Sequence, residues 1–158
     1  MQRTFCALVL LLAAGGALAQ TLQQGQPAPA ALVEQMKTVA PTRIGEQAVR
    51  AVPPTLLSGE QAKVARQGRT LVLRASDNLV GISGNELIVL DDNLEGIAAA
   101  VTALRLAGAQ IHSYPALHLV LVKTARFDQL TTVRDRLAAK FPDAKFDLPV
   151  SYFPRQRR

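Results

Sequence analysis

The feature that most constrains the fold is the order of apolar patterns in the C-terminal part of the chain. Apolar runs of strand length predict strands, and apolar side chains three and four positions apart predict helices. Six such segments occur in the order strand, helix, strand, strand, helix, strand: 86–90, 94–104, 110–114, 117–123, 128–141 and 144–150. Gly108 and Pro142 end the two helical patterns. This part of the chain is therefore expected to form one α+β unit.

This β-α-β-β-α-β order is that of the ferredoxin-like split βαβ unit. We therefore expect an open-faced sandwich, in which a four-stranded antiparallel sheet carries two helices on one face. Right-handed crossovers make 86–90 and 117–123 the central strands. Both runs are apolar on both sides, so the helix-free face carries an apolar stripe that needs a cover. A hairpin of the same chain over 70–83 and another protein are the two candidates for that cover.

The first residues have the composition of an export signal. Arg3 supplies a positive charge, an apolar run follows over 7–14, and Ala17-Leu18-Ala19 offers small residues to signal peptidase. The apolar run is too short to span a bilayer. We expect residues 1–19 to be removed and the chain to be exported, to the periplasm or the extracellular medium, without a membrane anchor. Cys6 is the only cysteine and would leave with the signal, which excludes disulfides and cysteine chemistry.

Between the predicted signal and the sheet unit, the sequence predicts two kinds of segment. The first is rich in Gln, Pro and Ala, as expected for a flexible leader. The second predicts a short helix over 59–67 and a hairpin over 70–83, with turn formers at its centre. The expected order is leader, helix and hairpin extension, sheet unit and basic tail, over 20–52, 53–84, 85–154 and 155–158.

The net charge of +6 suggests a nucleic-acid partner, but the charge lies in the wrong place. Residues 85–154 hold seven Lys or Arg against eight Asp or Glu, and the basic excess lies in the leader and in Arg155-Gln156-Arg157-Arg158. A nucleic-acid-binding domain needs its Lys and Arg along one structured face. The sequence therefore predicts no nucleic-acid partner.

The sequence offers no set of residues for catalysis or metal binding. His112 and His118 are the only histidines, and two histidines without a third ligand make a weak zinc site. Asp91-Asp92 lies where a helix begins and is expected to cap it. Gly81-Ile82-Ser83-Gly84 lies between strands and predicts a turn rather than a phosphate loop. We expect a protein without enzymatic activity, cofactor or metal.

Residues 86–154 resemble the propeptides of subtilisin-like serine proteases, a family that includes free-standing propeptide-like inhibitors. The resemblance rests on ELIVL, the hairpin LHLVLVK, the amphipathic DQLTTVRDRLAAKFPDAKF and the closing FDLPVSYFP. That ending is similar to the Tyr-Asp-x-Asn-His-x-Tyr-x-Pro ending of many bacterial propeptides, although Pro149-Val150 stands in place of Asn-His. No catalytic set of Asp, His and Ser follows. We therefore expect a propeptide without its protease, acting in trans.

The resemblance implies how such a chain would act. It would be a monomer when free, and it would inhibit a subtilisin-like serine protease, assist its folding, or do both. Its sheet face would dock on the protease, and its tail would occupy the substrate cleft as an added strand. The implied sheet-face residues are His118, Val120, Val122 and Asp147, the last capping a protease helix. The implied tail residues are Ser151, Tyr152, Phe153, Pro154 and Arg155.

Alternatives to these roles stay open. Asp147 is equally well a solvated charge on an edge strand, and Tyr152 and Phe153 equally well complete the core. A second function class is a module of the cell envelope, which binds peptidoglycan or a membrane complex through the same open sheet face or is purely structural. A glycan-binding face is expected to be polar and aromatic, whereas Val, Ile and Leu predominate in these strands. The composition therefore favours a protein partner.

Overall fold

The computed structural model describes residues 22–153. Within this range the chain is α+β, with four α-helices and two antiparallel sheets. The helices are α1 Ala30–Met36, α2 Gly59–Arg66, α3 Leu94–Ala103 and α4 Asp128–Lys140. The strands are β1 Thr42–Ile44, β2 Gln47–Ala51, β3 Thr70–Arg74, β4 Val80–Ser83, β5 Glu86–Leu90, β6 Gln110–Tyr114, β7 Leu119–Lys123, β8 Lys145–Asp147 and β9 Val150–Ser151. None of the helices in this range is long and apolar enough to cross a membrane. The predicted signal over 1–19 and the predicted basic tail over 155–158 lie outside the described residues.

One sheet has four strands in the order β6-β7-β5-β8. β5 pairs with β7 from Glu86 opposite Lys123 to Leu90 opposite Leu119. β6 forms a hairpin with β7, and β8 pairs with the free side of β5. The first and third strands of the C-terminal part are therefore the central ones, as the sequence predicted.

Helices α3 and α4 cover one face of this sheet. α3 packs on β6 and β7, and α4 packs on β5. Because alternate residues of a strand point to opposite faces, one set of side chains from β5 and β7 enters the core beneath the helices. The core residues from these four elements are Leu87, Val89, Val120, Val122, Ile97, Val101, Leu130, Val133 and Leu137. Each is at most 1% exposed and stabilises the fold by about 1.5–3 kcal/mol.

The other sheet has five strands in the order β1-β2-β3-β4-β9. One of its faces contributes Val49 and Val72 to the core that contains the α3 and α4 side chains. The opposite face contributes to a second core, whose buried members are Met36, Val52, Leu71, Leu73 and Val80. The five-stranded sheet therefore lies between two cores and joins the N-terminal part of the chain to the C-terminal part.

The flexible leader predicted over 20–52 is wrong for the residues of β1 and β2. These strands form a hairpin, in which Ile44 and Val49 are almost completely buried. Gly45 begins its two-residue loop with a φ of +57°, which glycine adopts without strain. A Cβ at Gly45 would also collide with the carbonyl oxygen of Phe146 in β8. The composition concealed this hairpin because its apolar neighbours come from distant parts of the chain.

The single strand predicted over 144–150 is two strands, one in each sheet. β8 pairs with β5, and β9 pairs with β4. Between them Leu148 is 1% exposed in the core shared by both sheets, and its N–H donates to Asp147 Oδ1 at 2.9 Å. Pro149 has no N–H to offer a strand ladder. The chain therefore leaves the four-stranded sheet at Leu148 and enters the five-stranded one at Val150.

Replacement of Leu148 tests the shared core. Leu148→Ala should lower the free energy of unfolding by about 2–5 kcal/mol, because it leaves a cavity where the two sheets meet. In a thermal melt this corresponds to a decrease of roughly 5–15 °C within a single transition. Leu117→Ala is the control, since Leu117 is 64% exposed and its loss should change stability by less than about 0.5 kcal/mol. Two separate transitions in either protein would contradict a core shared by both sheets.

Candidate docking surface

The face of the four-stranded sheet opposite α3 and α4 is the candidate site, and we call it the open face. The pairing register assigns its members, because they alternate with the core residues of the same strands. Its rim consists of Gln110, His112, Tyr114, Lys123, Glu86, Asp147 and Lys145. Its centre consists of Ile88, Leu90, Leu119 and Leu121, which we call the apolar block.

The apolar block is accessible to solvent. Leu90 is 38% exposed, and the other three members are half-buried. Tyr114 beside the block is 45% exposed, and Leu117 in the loop after β6 is 64% exposed. Contiguous exposed apolar side chains with a polar rim are typical of protein interaction sites. The open face is therefore chemically suited to bind another protein.

The β3–β4 hairpin, one of the two predicted candidates for the cover, does not cover the open face. It lies in the middle of the five-stranded sheet, between β2 and β9. Its apolar side chains enter the two cores: Val72 joins α3 and α4, and Leu71 and Leu73 join Met36. The hairpin therefore supports the covered side of the four-stranded sheet instead of its open side.

Two of the predicted sheet-face residues were assigned to the wrong side of β7. Val120 and Val122 are completely buried beneath the helices, so they cannot contact a partner. The exposed side of β7 consists of Leu119 and Leu121. The sequence was ambiguous here because β7 is apolar on both sides, and nothing in a leucine or valine marks which side the helices cover. Only the packing of α3 on β7 decides the orientation.

The third predicted residue, His118, is not in a strand. It follows the short 3₁₀ turn Pro115–Leu117 with φ of 49° and ψ of 44°, so β7 begins only at Leu119. Its Nδ1 lies 2.8 Å from Asp92 Oδ1, and its carbonyl oxygen accepts the Asp91 N–H at 3.1 Å. His118 therefore fixes the loop between β6 and β7 to the residues before α3.

The fourth predicted residue, Asp147, does lie on the open face, opposite Ile88. Its side chain is exposed, and Oδ1 accepts the N–H of Leu148. At the other end of the face, Lys123 Nζ lies 3.5 Å from Glu86 Oε1 across the β5–β7 pair. The apolar block is therefore framed by carboxylates and by the amines of Lys123 and Lys145.

Part of the predicted protease-binding tail is held by the five-stranded sheet. Ser151 lies opposite Ile82 in β9. The Tyr152 ring packs against Gly81, where a Cβ would lie 2.8 Å from the ring, and the Arg74 guanidinium lies 4.9 Å from the ring centre. The Tyr152 hydroxyl donates to Gln47 Oε1 at 3.3 Å, and burial raises its pKa. Tyr152 thus agrees with the alternative in which it completes the fold.

Gln24 also holds the segment 151–153 through hydrogen bonds. Its Nε2 donates to the carbonyl oxygen of Ser151 at 2.7 Å, and it lies 2.9 Å from Ser151 Oγ and 3.1 Å from the carbonyl oxygen of Phe153. Gly25 follows with φ of +81°, and a Cβ there would lie 2.5 Å from the Tyr152 carbonyl oxygen. No local pattern could have revealed this contact, because its partners are 127 residues apart. The side chain of Phe153 is 77% exposed, and Pro154 and Arg155 lie outside the described residues.

Comparisons with known proteins found no match among family models, curated proteins or solved structures. Within residues 22–153, no group of three or more His, Cys, Asp or Glu side chains is placed to hold a metal ion. The residues of the open face offer apolar contact, hydrogen bonding and charge.

Removal of the Tyr152 ring tests whether the tail belongs to the fold. Tyr152→Ala should lower the free energy of unfolding by about 1–3 kcal/mol, because the ring packs between Arg74 and Gly81 and is partly buried. Phe153→Ala, one residue further on, should change it by less than about 0.5 kcal/mol. Chemical denaturation of the two variants measures the difference. Equal stability of both would mean that Tyr152 is as free as Phe153.

The Arg74–Asp77 ion pair predicts an acid-sensitive part of the stability. Arg74 Nε and Nη2 donate to the two Asp77 oxygens at 2.8 and 2.5 Å, and these hydrogen bonds lower the pKa of Asp77. An unfolded aspartate has a pKa of about 3.9, so the stabilisation is present above that pH and is lost as pH falls through the lower folded pKa. Between pH 5 and pH 2, Asp77→Asn should lose less stability than the wild type. Asp143→Asn is the control, and an equal loss in all three proteins would contradict the assignment.

Proposed function

We propose that this protein is an exported inhibitor or folding chaperone of a subtilisin-like serine protease, without enzymatic activity of its own. The finer fold assignment belongs to the same proposal: β5, α3, β6, β7, α4 and β8 would form a ferredoxin-like open-faced sandwich of the kind found in subtilase propeptides. The strand order β6-β7-β5-β8 and the position of both helices support it.

The observation that carries the proposal is the exposed apolar block at the centre of the open face. The block of Ile88, Leu90, Leu119 and Leu121 continues toward Tyr114, which is 45% exposed. A stable complex with a protease buries roughly 1,200–2,000 Å² in total. Four aliphatic side chains supply only part of that area, so the rim and the tail must supply the rest.

The rim offers specific polar contacts to a protease surface. Asp147 is exposed beside Ile88, and one of its oxygens already accepts the Leu148 N–H. That bond orients the carboxylate, so its second oxygen would accept N–H groups at the N-terminus of a protease helix. The role implied by the resemblance for Asp147 is retained, whereas Val120 and Val122 give way to Leu119 and Leu121.

The tail would enter the substrate cleft from Phe153 onward. Ser151 and Tyr152 would stay fastened by Ile82, Arg74 and Gln24, so the segment that follows would leave the fold in a defined direction. Such fixing lowers the entropy lost when an extended segment pairs with the edges of a cleft. Phe153, Pro154 and Arg155 would then be the cleft residues.

The test is inhibition of subtilisin-type proteases with a small peptide substrate. The wild type should inhibit competitively, and Leu90→Glu should weaken inhibition at least about tenfold, because it places a charge in a contact that excludes water. The matched control is Leu56→Glu, since Leu56 is also 38% exposed but lies in the 3₁₀ turn Pro54–Leu56. Thermal melts of both variants would check that each variant folds. Absence of inhibition at micromolar concentration across several subtilases would disprove the proposal.

The envelope-binding class keeps one observation in its favour. Gln110, His112 and Tyr114 give the β6 side of the open face the polar and aromatic character that a glycan needs. Co-sedimentation with purified peptidoglycan separates the two classes. Binding that Tyr114→Ala abolishes and Leu90→Glu leaves intact would favour the glycan over the protease.

A further inference from the structure

The edge strand β6 is the most accessible backbone of the four-stranded sheet. Within residues 22–153 it pairs only with β7, and all its residues except Ile111 are exposed. An edge strand of this kind offers a row of N–H and C=O groups that have no strand partner.

The hydrogen bonds that flank the β5–β7 pair fix which groups of β6 point outward. Asp91 N–H donates to the His118 carbonyl and Thr124 N–H to the Asn85 carbonyl, just beyond the two ends of that pair. In an antiparallel ladder this places the N–H and C=O groups of Leu119, Leu121 and Lys123 toward β6. Their partners Tyr114, His112 and Gln110 therefore bond inward. Ile111 and Ser113 point their N–H and C=O groups outward.

β6 lacks the features with which proteins usually protect such edges. Its sequence Gln-Ile-His-Ser-Tyr contains no Lys, Arg, Asp, Glu or Pro, and it pairs with β7 without a bulge. The opposite edge strand, β8, differs: it has three residues, carries Lys145 and Asp147, and lies against the Gly45 loop. Of the two edges, β6 is the one suited to accept another strand.

We propose that the partner of β6 is β6 of a second copy of this chain, related by a two-fold axis at His112. An antiparallel pairing centred there matches all five residues of both strands. Ile111 then lies opposite Ser113 of the second copy, and both have outward backbone groups. Each such pair exchanges two hydrogen bonds, so the axis generates four. Pro115 has no N–H and ends the ladder at the residue after Tyr114.

The side chains agree with this pairing. On the open face, His112 meets its own copy, and Gln110 meets Tyr114 of the second copy, so no fixed like charges are opposed. On the other face α3 packs beside β6 and exposes Ala99, Thr102 and Ala103, which are small and uncharged. The two open faces would become one eight-stranded surface. This departs from the free monomer that the resemblance implies, and it does not depend on the protease proposal.

The interface is small, so its signature is a concentration-dependent mass. Monomer and dimer should coexist at roughly 10 µM to 1 mM. In sedimentation equilibrium, the apparent molar mass of the wild type should approach twice the mass of one chain as concentration rises. Ser113→Pro should raise the dissociation constant at least about tenfold, because it removes an outward N–H without touching the β7 ladder. Ser113→Lys is the second variant, and it should also weaken the dimer. Ser76→Lys, which adds the same charge at the β3–β4 turn, should dimerise as the wild type does.

Cross-linking tests the axis itself. In a Cys6→Ser background, His112→Cys places two thiols opposite each other at the axis, within the distance that disulfides require. Gln110→Cys places each thiol opposite Tyr114 instead. Mild oxidation should cross-link the first variant much faster than the second. A monomer at all concentrations up to about 1 mM, equal cross-linking of both variants, or a dimer that Ser113→Pro and Ser113→Lys leave intact would each overturn the proposal.

Discussion

The described fold depends on the burial of one apolar core between both sheets and the helices α3 and α4. Val49 and Val72 of the five-stranded sheet share this core with Val133 and Leu137 of α4. The junction between the two sheets is also buried. Asn85 is 2% exposed, its side-chain amide donates to the Gly68 carbonyl, and its backbone carbonyl accepts the Thr124 N–H. Residues on both sides of the predicted boundary between 84 and 85 are therefore buried together, and no linker separates them.

The sequence was most informative where a structure is decided by nearby residues. The strands over 86–90 and 110–114 were predicted correctly as segments of strand length, and the apolar side of α4 was predicted correctly because its periodicity reflects burial on one side. The sequence was misleading where distant partners decide. β1 pairs with β2, β2 pairs with β3, and Ile44 and Val49 enter the shared core, none of which the local sequence shows. The orientation of β7 likewise depends on which side α3 covers.

The candidate site was predicted in kind but not in its residues. An apolar helix-free sheet face was expected, covered either by the hairpin over 70–83 or by another protein, and the open face has that apolar character without the hairpin on it. Its central residues are the leucines of β7 instead of the valines, because a strand that is apolar on both sides gives no sign of its orientation. The Gln24 contact with Ser151 left no trace in the sequence, since a glutamine in a polar segment has no preferred partner.

The position of β9 has a consequence for the order in which the molecule can assemble during synthesis. β4 pairs with residues 25–28 and with β9 along the same edge, so one of its neighbours is synthesised long before the other. The ribosome must add 127 residues after Gln24 before Ser151 exists to accept its hydrogen bond. Contacts so far apart in sequence form slowly. Until they form, the edge of β4 stays incomplete.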